Sequence, residues 1–200
     1  MTGTALALRS RTPESWAIRA AAHLPELLAD HAVCELQAAV FALSLVGMYP
    51  EDPVLVDRLS ALAAEELRHF RRVTKEARRL SGPGPLPTKR RNHYVRALRD
   101  ACRSGSEPEK GLDLLLVAAL IEARSHERFE RLAPHLDARL AKIYAELADD
   151  EARHGPIYLD LAARHAGEAK VRERLPALLD AEAAALTRGL AREVSVHGSV

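Results

Sequence analysis

The sequence contains few of the residues that mark several common protein classes. Aromatic residues make up 4% of its 200 residues, and there are two cysteines, Cys34 and Cys102. Two cysteines match neither a disulfide scaffold nor a Cys-x-x-Cys metal site. No window of about eighteen apolar residues is present, and the N-terminal apolar stretch is too short for a secretory signal. We therefore expect a soluble, cytoplasmic protein with no membrane segment.

Alanine and leucine dominate the composition and runs of β-branched residues are absent, which indicates an all-α fold. Pro25 and Pro50 mark the start and the end of a first long helix. Asp52 is a predicted N-cap for the second long helix. Ser106 and Glu109 predict a capping box at the third.

The chain is short enough to form one compact core, and it has no low-complexity linker. We expect a single domain over residues 1–200. Its bundle core would span about 24–166, with a long crossover connection between two helix pairs. A C-terminal helical extension is predicted over 168–194, and the sequence assigns it no function.

Two Glu-x-x-His pairs each follow another acid by about thirty residues, which indicates two copies of one helix pair. The six residues are Glu35, Glu66, His69, Glu122, Glu151 and His154. One such pair is expected by chance in a chain of this composition, so the prediction depends on the helical context. All six fall in phase with the apolar face of four successive long helices. This arrangement is typical of a two-metal carboxylate site in a four-helix bundle.

Burial explains why these residues would need metal ions. An unpaired buried carboxylate costs several kcal/mol or becomes protonated, so four converging acids need cations. His126 and His31 each lie one turn from a predicted ligand, and for both a packed histidine is the simpler interpretation. Cys34 is interpreted as a small core residue.

Basic residues are concentrated in one part of an otherwise neutral chain. From residue 68 to residue 103, twelve basic residues stand against two acids, although the whole chain carries only +1. Such a run is usually a solvated face, but it can also bind phosphates. The candidate RNA-binding residues are Arg68, Arg71, Arg72, Lys75, Arg78, Arg79, Lys89, Arg90, Arg91 and Arg96.

Several segments resemble one family of enzymes. The most specific is Glu122-Ala123-Arg124-Ser125-His126-Glu127-Arg128-Phe129, together with Asp30-His31-Ala32-Val33-Cys34-Glu35. They resemble the tRNA 2-methylthio-isopentenyladenosine hydroxylases, the MiaE family, over roughly residues 24–166. The resemblance implies a ferritin-like fold in which the six predicted ligands bind two iron ions.

The implied reaction is O2-dependent hydroxylation of the isopentenyl side chain on the hypermodified adenosine beside the tRNA anticodon. Because the sequence has no flavin or nicotinamide fingerprint and no cysteine cluster, electrons would come from an external ferredoxin or reductase. Two alternatives remain open: a ferritin-like iron-storage or peroxide-scavenging protein, and a helical RNA-binding module whose acids hold zinc. Whether the chain is a monomer or a dimer is not determined by sequence.

Overall fold

The computed structural model describes residues 6–86, 92–188 and 196. This part of the chain forms seven α-helices, one short 3-10 helix and no strand. The α-helices are α1 (Glu14–Ala22), α2 (Leu24–Met48), α3 (Pro53–Ser81), α4 (His93–Asp100), α5 (Glu109–Leu132), α6 (Ala138–Ala166) and α7 (Glu168–Arg188), and the 3-10 helix is Ala133–His135. The predicted all-α class is confirmed.

The helices group into two compact units, residues 22–90 and residues 1–21 with 91–200. In the first unit, α2 and α3 pack along each other as a helix hairpin. Asp52 is the N-cap of α3, as predicted, because its carboxylate accepts hydrogen bonds from the backbone N–H groups of Val54 (3.0 Å) and Leu55 (3.1 Å). The single-domain organisation remains a prediction.

In the second unit, α5 and α6 form the main helix pair, and α7 packs against α4, α5 and α6. Gly155 of α6 faces α5 at ordinary van der Waals contact distance. A Cβ atom at that position would lie 3.5 Å from the carbonyl oxygen of Ala119 and 3.8 Å from Cβ of Glu122. α6 continues as a helix through Pro156, so the predicted fourth helix is a single element.

Helix ends and short helices show where the sequence interpretation was wrong. The predicted capping box is not formed, because Pro108 is the N-cap of α5 and the carboxylate of Glu107 accepts the hydrogen bond from Gly111 N–H at 3.1 Å. The sequence interpretation also missed α1, which contributes the buried side chain of Trp16 (1% exposed) to the core. The predicted C-terminal helix is present as far as Arg188, and residues 189–194 lie outside the described part.

Contrary to the expectation from the sequence, one of the described helices, α2, is long and apolar enough to cross a membrane, with a mean hydropathy of 1.5 over its best window. This is weak support for a membrane span, since core helices of soluble proteins meet the same criterion. α2 also carries two buried polar side chains, His31 and Glu35, which suit a protein core.

Candidate metal centre

Three of the predicted ligands lie together on the α2–α3 hairpin. Glu35 lies on the buried face of α2, and Glu66 and His69 lie one turn apart on α3. All three side chains therefore share one side of the helix pair. Each is at most 5% exposed. One ligand atom from each lies within 4.8 Å of the others. Nδ1 of His69 is 3.5 Å from Oε2 of Glu66 and 3.7 Å from Oε2 of Glu35.

His31 adds a fourth polar group to this side of the hairpin. It lies one turn before Glu35 on α2, and its side chain is fully buried. Nε2 of His31 donates a hydrogen bond to Oε1 of Glu35. The histidine is therefore a direct partner of a predicted ligand, which is more than the packed role expected from the sequence.

The charges in this cluster control the protonation of its members. Burial alone would raise the pKa of Glu35, but the attraction and hydrogen bond of His31 hold it well below its ordinary value. Burial alone would lower the pKa of His69, yet the carboxylates of Glu35 and Glu66 raise it to about 10. The cluster thus favours an ionised Glu35 carboxylate beside a positively charged group.

The other three predicted ligands lie together on the α5–α6 pair. Glu122 is on α5, and Glu151 and His154 lie one turn apart on α6. All three are buried, and one ligand atom from each lies within 4.8 Å of the others. Nδ1 of His154 is 3.9 Å from Oε2 of Glu151. This second triad repeats the two carboxylates and one imidazole of the first.

The donor set of each triad suits iron. Carboxylate oxygen and imidazole nitrogen are the donors that carboxylate-bridged iron pairs use in helical bundles. A histidine three residues after a glutamate on one helix directs both side chains to the same side. The residues present therefore fit the metal that the sequence predicts.

His126 and Cys34 make other contacts. Nδ1 of His126 donates a hydrogen bond to the carbonyl oxygen of Ala148 at 2.9 Å, and its Nε2 lies 3.5 Å from the carboxylate of Glu130. Sγ of Cys34 lies 3.8 Å from a carboxylate oxygen of Asp30. Neither residue belongs to a potential metal-binding group in the part of the chain that the structure describes.

A buried polar network on the side of α5 away from Glu122 was missed by the sequence interpretation. Arg124 is fully buried and donates from Nε (2.9 Å) and Nη2 (3.0 Å) to the two carboxylate oxygens of Glu182 on α7. Tyr94 of α4 donates to the same carboxylate at 2.7 Å. Burial raises the pKa of Tyr94, so its hydroxyl remains a donor. The network joins three helices through one ion pair.

The same network holds the N-terminal segment. The backbone N–H and the hydroxyl of Thr12 donate to Glu127 at 3.0 and 2.6 Å, and Arg124 also donates to Glu127 at 3.0 Å. The guanidinium of Arg128 lies 4.9 Å from the ring centre of Trp16. Burial lowers the pKa of Arg128 to about 10. Glu127 therefore connects α5 to Thr12.

The basic candidates on α3 form one exposed face. Arg68, Arg71, Lys75, Arg78 and Arg79 are exposed at helical spacing, and Arg72 between them is half-buried. On this face, Arg68 forms an ion pair with Glu65 (3.4 Å), and Arg79 forms one with Glu76 (3.0 Å).

Four candidates lie beyond this face. Arg96 on α4 is exposed and lies 3.7 Å from Asp100, while Lys89, Arg90 and Arg91 lie outside the described residues. We call the six basic candidates of α3 the α3 basic face: Arg68, Arg71, Arg72, Lys75, Arg78 and Arg79.

Comparison with known proteins connects this arrangement to one family. The family model described as tRNA-(MS[2]IO[6]A)-hydroxylase (MiaE) matches residues 2–198. The chain belongs to the MiaE family. It is 39% identical to the tRNA 2-(methylsulfanyl)-N(6)-isopentenyladenosine(37) hydroxylase of Pseudomonas putida, covering 94% of this chain and 90% of that one. The enzyme of the same name from Salmonella typhimurium is 34% identical over 80% of this chain and 77% of the relative.

A solved structure shares the fold. The protein 43 with aldehyde deformylating oxygenase activity from Synechococcus superposes with a TM-score of 0.87 at 40% identity, and 96% of each chain is covered. The predicted all-α, ferritin-like fold of this MiaE family member is thereby confirmed.

Proposed function

We propose that this protein hydroxylates the isopentenyl side chain of the hypermodified adenosine adjacent to the tRNA anticodon. The observation that carries the proposal is the pair of buried Glu, Glu and His triads in a chain of the MiaE family. The relatives from Pseudomonas putida and Salmonella typhimurium bear the name of this reaction. The protein would act in the cytoplasm, where its tRNA substrate is found.

The six triad residues would together hold two iron ions. When bound, such a pair supplies O2 activation for oxidation of an unactivated C–H bond. One oxygen atom enters the C–H bond and the other leaves as water, which consumes two electrons and two protons. Glu66 and Glu151 are 1% and 2% exposed, so bulk water has little access to the carboxylates that would hold the iron.

The two electrons would come from a separate protein. The sequence contains no flavin or nicotinamide fingerprint and no cysteine cluster, and Cys34 lies beside Asp30. A ferredoxin or a reductase is therefore the expected partner.

The α3 basic face would bind the tRNA backbone. Its five exposed cations lie on one side of the helix that carries Glu66 and His69. Contacts between cations and phosphates supply sequence-independent affinity, and base chemistry at the site supplies selectivity. A substrate without phosphates should consequently bind poorly even when its prenyl group is unchanged.

The decisive experiment supplies the reduced, iron-loaded protein with O2 and prenylated tRNA. Mass spectrometry of the digested nucleosides should show a product heavier by one oxygen, and 18O2 should label it. The free nucleoside should react poorly, and the Glu66→Ala protein should give no product. Labelling from water, or no product under an adequate electron supply, would contradict the proposal.

The Synechococcus structure provides a second candidate activity. Its oxygenase activity removes the formyl group from an aldehyde, and its fold matches this chain closely. The same reduced protein should therefore be given an aliphatic aldehyde in parallel, with formate as the measured product. The α3 basic face favours tRNA as the substrate, so we expect formate release to be the slower reaction.

A further inference from the structure

We propose that His31 is a positioning residue that holds Oε1 of Glu35 away from the metal, so that Glu35 binds through Oε2 alone. This inference rests on the proposed iron centre and specifies how one of its ligands binds. It concerns a residue outside the predicted ligand set.

The two oxygens of Glu35 face different partners. Oε1 accepts a hydrogen bond from Nε2 of His31, while Oε2 lies 3.7 Å from Nδ1 of His69. His31 and Glu35 are both buried, at 0% and 4% exposure. Because they are one turn apart on α2, the contact is built into a single helix and does not depend on a loop. Oε2 is therefore the oxygen that shares the ligand side with His69.

The corresponding acid of the other triad has different surroundings. One turn before Glu122 stands Ala118, which has no polar side-chain atom. One turn after it stands His126, whose ring nitrogens face the carbonyl of Ala148 and the carboxylate of Glu130. The two halves of the internal repeat therefore differ: His31 donates to the acid one turn away, whereas the ring nitrogens of His126 face other groups.

This difference has a consequence for coordination. A carboxylate can bind a metal through one oxygen or through both, and a hydrogen bond to one oxygen favours binding through the other. The metal held by Glu35 would then have one ligand atom fewer than it would have if Glu35 bound it through both oxygens. A catalytic metal site needs such an open position for a small ligand.

Cobalt(II) can test this in the full chain, because its visible absorption weakens as the coordination number rises. Metal-free wild-type, His31→Gln, His31→Leu and His31→Met proteins would be titrated anaerobically with cobalt(II). His126→Leu is the matched control, since it removes a histidine one turn from the other acid. Circular dichroism checks that each variant is helical, and His31→Met is a second apolar variant should His31→Leu not fold.

We expect wild-type, His31→Gln and His126→Leu to bind two cobalt ions with the same spectrum, because glutamine keeps an N–H near the position of Nε2. In His31→Leu and His31→Met two ions should still bind, but the absorption per cobalt should fall as Glu35 binds through both oxygens. Unchanged spectra in both apolar variants would overturn the inference.

Two other results have separate meanings. Loss of one cobalt in every His31 variant would make His31 a metal ligand and overturn its positioning role. A wild-type protein that binds no cobalt would overturn the metal centre of the proposed function, and this inference with it. Failure of the inference alone leaves the wild-type stoichiometry at two.

Discussion

Arg124 on α5 and Glu182 on α7 form an ion pair with two parallel hydrogen bonds, and neither side chain is exposed to solvent. A carboxylate that meets a guanidinium through both oxygens is among the strongest polar pairs in proteins. Its burial makes the pair costly to break, because the remaining partner becomes a desolvated charge. α7 is thus joined to α5, the helix that carries Glu122, through a buried ion pair.

Replacing Glu182 with alanine should destabilise the protein by about 3 kcal/mol, the lower end of the range for breaking a buried pair, because Glu127 still contacts Arg124. Urea unfolding followed by circular dichroism measures the change. Asp180→Ala is the control, since Asp180 is exposed and pairs with the exposed Arg9; its effect should stay within about 0.5 kcal/mol. Equal effects of the two substitutions would contradict the structural role of Glu182.

Removing one carboxylate from either triad should release most of the metal. In Glu66→Ala and Glu151→Ala, the iron content measured by elemental analysis should fall from two per chain to well below one, while the helical spectrum is kept. Glu65→Ala and Asp150→Ala are neighbouring controls, because Glu65 pairs with Arg68 and Asp150 with Arg153. Full iron content in both triad variants would reject the metal centre.

Charge reversal on the α3 basic face should weaken tRNA binding without changing iron content. For Arg71→Glu with Arg78→Glu, the slope of log affinity against log salt should fall by about one for each phosphate that the variant no longer binds. Lys142→Glu with Arg172→Glu introduces the same charge change at exposed residues of α6 and α7. If both double variants bind tRNA equally weakly, only net charge matters and the α3 basic face is an ordinary solvated surface.

Loss of the α3 N-cap should have a small and local effect. Asp52→Ala removes two hydrogen bonds to backbone N–H groups and should cost about 1 kcal/mol of unfolding free energy. Asp57→Ala, at an exposed position one turn further along α3, should cost less. Thermal unfolding of the iron-loaded proteins compares the two, and a larger effect of Asp57→Ala would argue against capping by Asp52.

Local patterns predicted the long helices and the composition of each triad. Helical periodicity alone placed Glu35 and Glu122 on buried faces, because a 3.6-residue repeat fixes which side chains share a side. The proline and aspartate near residues 50–53 likewise determine a helix boundary through backbone chemistry. The proposal that all six residues form one centre extends beyond these local patterns.

Long-range polar pairing could not be predicted in the same way. Arg124 and Glu182 are 58 residues apart, and nothing in a helical repeat shows that a charged residue is buried beside a distant partner. The contact of His31 with Glu35 could have been predicted from the sequence, since the two residues lie four positions apart on a predicted helix. The capping-box prediction was wrong, although Ser106 and Glu109 match its sequence pattern. The N-cap of α5 is Pro108, and the carboxylate of Glu107 accepts a backbone hydrogen bond of the first turn.

The position of Glu182 also bears on the order in which the chain can mature during synthesis. A ribosome releases α5 before α7, so Arg124 emerges 58 residues ahead of its main counter-ion. Until α7 has been made, the guanidinium can remain hydrated, and burying it would leave a charge with only part of its final pairing. The α5 network can therefore be completed only after α7 has been synthesised, which favours docking of α7 as a late step in folding.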